Sequence, residues 1–141
     1  MIEHNYSFRV MYADTDQMGT VHHSNYAKYY EAARWELFRS IGISYDSVEE
    51  AGYLLPVVSM KFKFLKTTKY DAQLTVKTTL TTIKGVRIWF TYKLYNELNE
   101  LINQAETELA FVLRDNWKPC AAPEFLCKAI EKNNKTEQVN A

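Results

Sequence analysis

Two cysteines, three prolines and four glycines leave this 141-residue chain few special devices. Two thiols cannot make a disulfide framework, so a packed core must hold the fold, and a reduced, cytoplasmic setting is expected. Cys120 and Cys127, with six residues between them and no histidine near them in sequence, form a poor zinc site. Charge of one sign is also lacking. Lys+Arg and Asp+Glu both number 17, giving formal net charge zero. That argues against broad binding to nucleic acid, which needs a basic surface, and leaves self-association unopposed by charge. No run reaches the roughly 18–20 apolar residues of a membrane-spanning helix. The opening Met1-Ile2-Glu3-His4-Asn5 lacks the basic-then-apolar order of a secretory signal, and none is expected. There is no internal repeat, and the only biased tract is a polar tail over residues 131–141.

What is present suits one domain over residues 1–130, since a 47% hydrophobic composition fills one core rather than two. Residues 4–12 alternate as a half-buried strand, with Tyr6, Phe8 and Val10 on one face. A turn-rich stretch follows, residues 13–20. Then Tyr26, Tyr30, Ala33, Leu37 and Ile41 recur every three or four positions and predict a helix. Ser24 is its expected N-cap and Gly42 its expected stop. Lys28, Glu31, Arg34 and Arg39 fall off the apolar stripe. One more helical turn is expected within residues 44–52. Four strands follow at 55–66, 74–82, 87–96 and 101–113, with turns at 69–71, 84–85 and 96–100, and a short helix at 124–132. Near-consecutive strands joined by short connections imply an antiparallel sheet. The class is α+β, with about five strands on one long helix, whose stripe must be buried against a sheet face. The sheet's other face needs cover, and a second subunit is the expected source.

The chemistry concentrates in Asp14-Thr15-Asp16-Gln17-Met18-Gly19-Thr20-Val21-His22-His23-Ser24-Asn25-Tyr26. Two carboxylates stand just before a helix whose first amides are unpaired and sit at the positive end of its dipole. Such amides polarise a carbonyl and stabilise an oxyanion. A neighbouring carboxylate deprotonates water or attacks the carbonyl itself. Gly19 allows close backbone approach or positive φ. The same residue types also serve as ordinary turn and capping residues.

The run Asp-Thr-Asp-x-x-Gly-x-Val-x-His-x-x-Tyr, followed by Tyr30-Glu31-Ala32-Ala33-Arg34, resembles the signature of the 4-hydroxybenzoyl-CoA thioesterase family. It is most similar to the branch of bacterial short acyl-CoA thioesterases associated with the Tol-Pal genes. The resemblance implies a hotdog fold, a curved antiparallel sheet around the helix. It also implies homodimers, often paired into tetramers, with active sites at the subunit interface. It makes Asp16 the general base or nucleophile and puts the thioester carbonyl on the backbone N–H of His23. The substrate is then an acyl-CoA, with acyl carrier protein as another possible thiol carrier, and no cofactor or metal is implied. Gly19, Val21, Tyr26, Lys66 and Lys69 are the candidate substrate-binding residues. Lys66-Thr67-Thr68-Lys69-Tyr70-Asp71-Ala72 departs from the family's basic-Pro-Ala-basic-Tyr-x-Asp stretch, so the local loop differs.

Beside these, Asp14 reads as an acid that orients the loop or a plain turn acid. His22 has solvent, a subunit neighbour and the site as open alternatives, and Glu31 and Arg34 could pair one turn apart. Lys61, Lys63, Lys66 and Lys69 form a basic edge that could hold CoA phosphates or be a solvated strand face. Two other readings remain: a hydratase or dehydratase of enoyl or hydroxyacyl thioesters, and a non-catalytic acyl-binding subunit.

Overall fold

A computed structural model describes the backbone of residues 2–140 and the side chains of residues 2–134. The remainder of the tail expected over 131–141 lies outside the described side chains. The order is β1 (Ile2–Arg9), a 3-10 turn (Tyr12–Asp14), α1 (Asn25–Ser40), α2 (Tyr45–Glu50), β2 (Tyr53–Leu54), β3 (Val57–Phe64), β4 (Gln73–Lys84), β5 (Arg87–Tyr95), β6 (Leu101–Ala110), β7 (Val112–Leu113) and α3 (Glu124–Asn140). Five strands form one antiparallel sheet in the order β1-β4-β5-β6-β3. This is the expected α+β arrangement. Among the described residues no helix is long and apolar enough to cross a membrane.

The period of two in β4 and β5 sorts their side chains between faces. Leu74, Val76, Thr78 and Leu80 of β4 and Ile88, Phe90, Tyr92 and Leu94 of β5 are all buried. Against this face α1 lays Tyr26, Tyr29, Tyr30, Ala33, Leu37 and Phe38, all buried. Tyr30 stacks between Phe62 of β3 and Tyr92 of β5 at 6.0 and 4.7 Å, so one side chain ties the helix to two strands. The helix ends at Ser40, and Gly42 takes φ +84 just beyond it, as its position predicted.

Four expectations are corrected. Ser24 has helical backbone angles and makes no capping bond with its side chain. Arg34, read as a surface residue able to pair with Glu31, is buried at 4% exposure. Its Nη1 donates to the Tyr92 hydroxyl at 3.0 Å, and among the described residues it forms no ion pair. Helix α3 runs past residue 132 to Asn140, because no glycine or proline follows Pro123 to stop it. The strand read over 101–113 also divides at Phe111. Its last two residues form β7, which pairs with β2 in a separate two-stranded sheet.

At one edge of the main sheet, β3 is unlike the other strands. It has a single strand neighbour, and all but one of its residues are exposed. Val57, Val58, Met60 and Phe64, with Leu65 just beyond, present an apolar edge. Both flanks of this edge border cavities.

Candidate active site

The segment between β1 and α1 is a small, closed hairpin. The Asp16 N–H donates to the Thr20 carbonyl at 2.8 Å, and the Gly19 N–H returns to the Asp16 carbonyl at 3.0 Å. Gly19 takes φ +79, a conformation L side chains avoid. A Cβ there would meet nothing within 4 Å, so the glycine serves the turn and not a close approach. The hairpin is backed by the loop between β3 and β4: the Val21 N–H donates to the Thr68 carbonyl at 2.9 Å, and Thr20 bridges Lys69.

Asp14 anchors this hairpin to the helix. Its carboxylate accepts from Lys28 Nζ at 2.5 Å and from the Tyr29 hydroxyl at 2.8 Å. Its carbonyl accepts the His22 N–H and Asn25 Nδ2, both at 2.9 Å. Burial pushes the Asp14 carboxyl up, but the Lys28 and Tyr29 hydrogen bonds outweigh it and hold the group below its ordinary 3.8. Burial, and then the Asp14 carboxylate, push the Tyr29 phenol far above its ordinary value, so it remains a donor. Of the two readings of Asp14, loop orientation describes what its contacts do.

Asp16 is half-buried. Its Oδ1 accepts the Met18 N–H at 2.9 Å and the Thr20 N–H at 3.3 Å. The Thr20 hydroxyl stands at 3.4 and 3.5 Å from its two oxygens. One carboxylate oxygen is therefore pinned by the loop, while Oδ2 has only the hydroxyl contact. Asp16 borders a cavity of about 360 Å³ with Val21, His22, His23, Tyr26, Phe64 and Lys66.

The helix opening faces the same cavity. The His22 ring accepts the Ser24 N–H at Nδ1, 3.2 Å away, with the Ser24 hydroxyl at 2.8 Å. An acceptor Nδ1 puts the ring proton on Nε2. His22 thus caps the helix in place of Ser24, and of the alternatives the sequence left open it takes the one at the site. Among the described residues no hydrogen bond uses the His23 N–H. That amide is the open donor at the helix start. The His22 and His23 rings lie tilted against each other at 4.2 Å, and Tyr26 meets Phe64 edge-on at 5.5 Å.

Of the sequence candidates, Asp16, Val21, His23, Tyr26 and Lys66 meet at one cavity. Gly19 and Lys69 lie behind it in the loop backbone. Lys66 Nζ is engaged by the Glu100 carboxylate, whose pKa it lowers. Lys61 and Lys63 stand on the outer sheet surface with Lys93. Among the described residues no group of three histidine, cysteine or acidic side chains could hold a metal ion. Cys120 and Cys127 are half-buried free thiols away from this cavity.

Comparison with known proteins gives one consistent result. The family model of the thioesterase-like superfamily matches residues 10–130. The acyl-CoA thioester hydrolase YbgC of Escherichia coli is 32% identical over 118 residues, 84% of this chain and 88% of that one. The acyl-CoA thioesterase YbgC of Haemophilus influenzae is 31% identical over 127 residues, 88% of this chain and 93% of that one. The solved structure of DHNA-CoA thioesterase from Staphylococcus aureus superposes with a TM-score of 0.88 at 30% identity, covering 99% of this chain and 94% of that one. With the strand order, the central helix and the loop before it already in place, these matches make this chain a member of the thioesterase-like superfamily with the hotdog fold.

Proposed function

We propose that the protein hydrolyses an acyl-CoA thioester to a carboxylic acid and CoA, with Asp16 as the catalytic carboxylate. The observation that carries this reading is the pairing of a half-pinned Asp16 with the open His23 amide at one cavity. The thioester oxygen rests on the His23 N–H at the positive end of α1, which stabilises the oxyanion as it forms. Water attacks the carbonyl carbon while Asp16 Oδ2 takes its proton. The C–S bond then breaks, and the departing sulfur recovers that proton as the CoA thiol. Direct attack by Oδ2, through a mixed anhydride that water opens, uses the same oxygen and the same amide. A thiol is a good leaving group, so no stronger acid is required.

The relatives named for acyl-CoA hydrolysis support the substrate class. Val21 and Tyr26 line the acyl entrance, and Gly19 sets the loop they follow. The outer-surface lysines, with Lys66 and Lys69, are the candidate contacts for CoA phosphates. A second copy pairs edge to edge through β3 and covers its exposed apolar side chains, making a homodimer with the site at the interface. The working chain is read as a cytoplasmic, cofactor-free enzyme of one domain over residues 1–130.

The test is thiol release from a series of short, long and aromatic acyl-CoAs. Appearance of free thiol with stoichiometric acid supports hydrolysis. Consumption of an enoyl-CoA without thiol release supports a hydratase instead, and no reaction with any ester contradicts the enzymatic reading.

A further inference from the structure

Among the described residues Arg34 is the one buried cationic side chain, and the chemistry above does not use it. It is more than nine-tenths buried, and its partner is a neutral phenol, the Tyr92 hydroxyl at 3.0 Å, itself 2.8 Å from the Thr107 hydroxyl. A guanidinium carries five donors and a charge that never leaves it. Burying that charge without an anion costs far more than burying it beside one. Yet no carboxylate among the described residues forms an ion pair with it. Its remaining donors are not sealed in the core either, since none is among the buried polar atoms left without a partner. Arg34 lines a second cavity.

That cavity, of about 520 Å³, is lined by Arg34 with Trp35, Tyr45, Pro56, Met60 and Trp117. Its wall is largely aromatic and aliphatic, with Arg34 as its one buried charge, a composition that suits a small-molecule pocket. Glu31 and Lys28 also border it. Both are exposed, and Lys28 is already held by Asp14. Water screens these rim charges, while the buried Arg34 is screened far less. An occupant carrying an acceptor oxygen satisfies both the apolar walls and the free donors.

The position of the slot says whose pocket it is. It borders the Val57 and Met60 end of β3, whereas the Asp16 cavity borders the Phe64 and Lys66 end. When two copies of β3 pair antiparallel, opposite ends of the strand meet. The slot of one subunit then adjoins the Asp16 cavity of the other.

We propose that Arg34 of the partner subunit is a specificity residue. It donates to an acceptor oxygen, a carboxylate or carbonyl, at the far end of the acyl group whose thioester is held at Asp16. The inference rests on the thioesterase reading and on β3 pairing, and it adds the substrate class: acyl groups oxygenated beyond the thioester, not plain alkyl chains.

The experiment compares dicarboxylyl-CoAs of four to ten carbons with unsubstituted alkanoyl-CoAs of equal length. Wild type prefers the dicarboxylyl ester at the length that spans the two cavities. Arg34→Met lowers that preference about ten- to a hundredfold, mainly through KM. It does so without lowering the melting temperature, because an unpaired buried charge is replaced by an apolar side chain of similar length. A second arm mixes Asp16→Asn subunits with Arg34→Met subunits. Each mixed dimer holds one site with both changes and one with neither. Activity on the dicarboxylyl ester returns to about a quarter of wild type when half the dimers are mixed. An unchanged preference in Arg34→Met overturns the proposal, as does the absence of recovery in dimers shown to be mixed. A wild type that favours alkanoyl esters overturns it too while leaving the thioesterase reading intact. A wild type that releases thiol from no ester removes that underlying reading instead.

Discussion

Asp14 and Asp16 stand two positions apart and do opposite things. Asp14 is spent on structure: its carboxylate is saturated by Lys28 and Tyr29, and its carbonyl ties down His22 and Asn25. Asp16 has Oδ1 held by two backbone amides, while Oδ2 has only the Thr20 hydroxyl near it. Asp14→Asn loses the Lys28 ion pair and weakens the Tyr29 hydrogen bond, at a cost of about 1–3 kcal/mol. Because the folded carboxyl titrates below 3.8, its contribution is complete above that value and fades as pH falls through the lower, folded value. Melting curves for wild type and Asp14→Asn therefore differ by a constant amount above about pH 5 and converge below about pH 4. A gap that persists unchanged into strong acid contradicts this. His22→Ala removes the helix cap, costs about 1 kcal/mol in a thermal melt, and lowers kcat by leaving the Ser24 amide to compete with His23 for the oxyanion. Asp16, Val21, His23 and Tyr26 were legible in the sequence because the loop motif fixes their spacing against a helix start. His22 and Arg34 were not. A histidine that caps through its ring is indistinguishable in sequence from one that faces solvent, and Arg34 sits between Ala33 and Trp35 where periodicity alone makes it marginal.

The elements with strong periodicity were the readable ones. β4 and β5 alternate cleanly because one face lies on the helix, and α1 shows its stripe because the sheet receives it. Leu37 sits in that stripe at 0% exposure, so Leu37→Ala costs about 2–5 kcal/mol, measured by denaturant unfolding. β2 and β7 hold two residues each, too few to show any period. β3 differs. It alternates Val58, Met60, Phe62 and Phe64 with Lys61 and Lys63, yet nearly all of it is exposed. Alternation reports that a face wants cover, and strand order decides whether the same chain supplies it. Val58→Asp places a charge on this edge and shifts the protein toward monomer in light scattering after size exclusion, while the monomer's circular dichroism stays unchanged. An unaltered dimer would place the interface elsewhere.

At the scale of the whole molecule, the five-stranded sheet, α1 and the loop before it form the scaffold of the site, and β3 leaves an exposed apolar edge along it. The loop before α1 is cross-braced to the helix by Asp14 and to the β3–β4 loop by Thr68, so on the proposed reading the Asp16 carboxylate and the His23 amide are held before substrate arrives. Preorganised donors of this kind account for a large share of rate enhancement in acyl transfer. If the edge is completed by a second copy, specific activity falls on dilution below the dimer dissociation constant and recovers on concentration. The central claim is that one carboxylate oxygen facing one helix amide performs the hydrolysis. Its most direct test is Asp16→Asn, in which the amide-accepting Oδ1 can remain while the basic Oδ2 is lost. The predicted result is an unchanged melting temperature and oligomeric state with kcat for acyl-CoA hydrolysis reduced at least about a hundredfold. Hydrolysis by the folded variant at the wild-type rate would contradict the account.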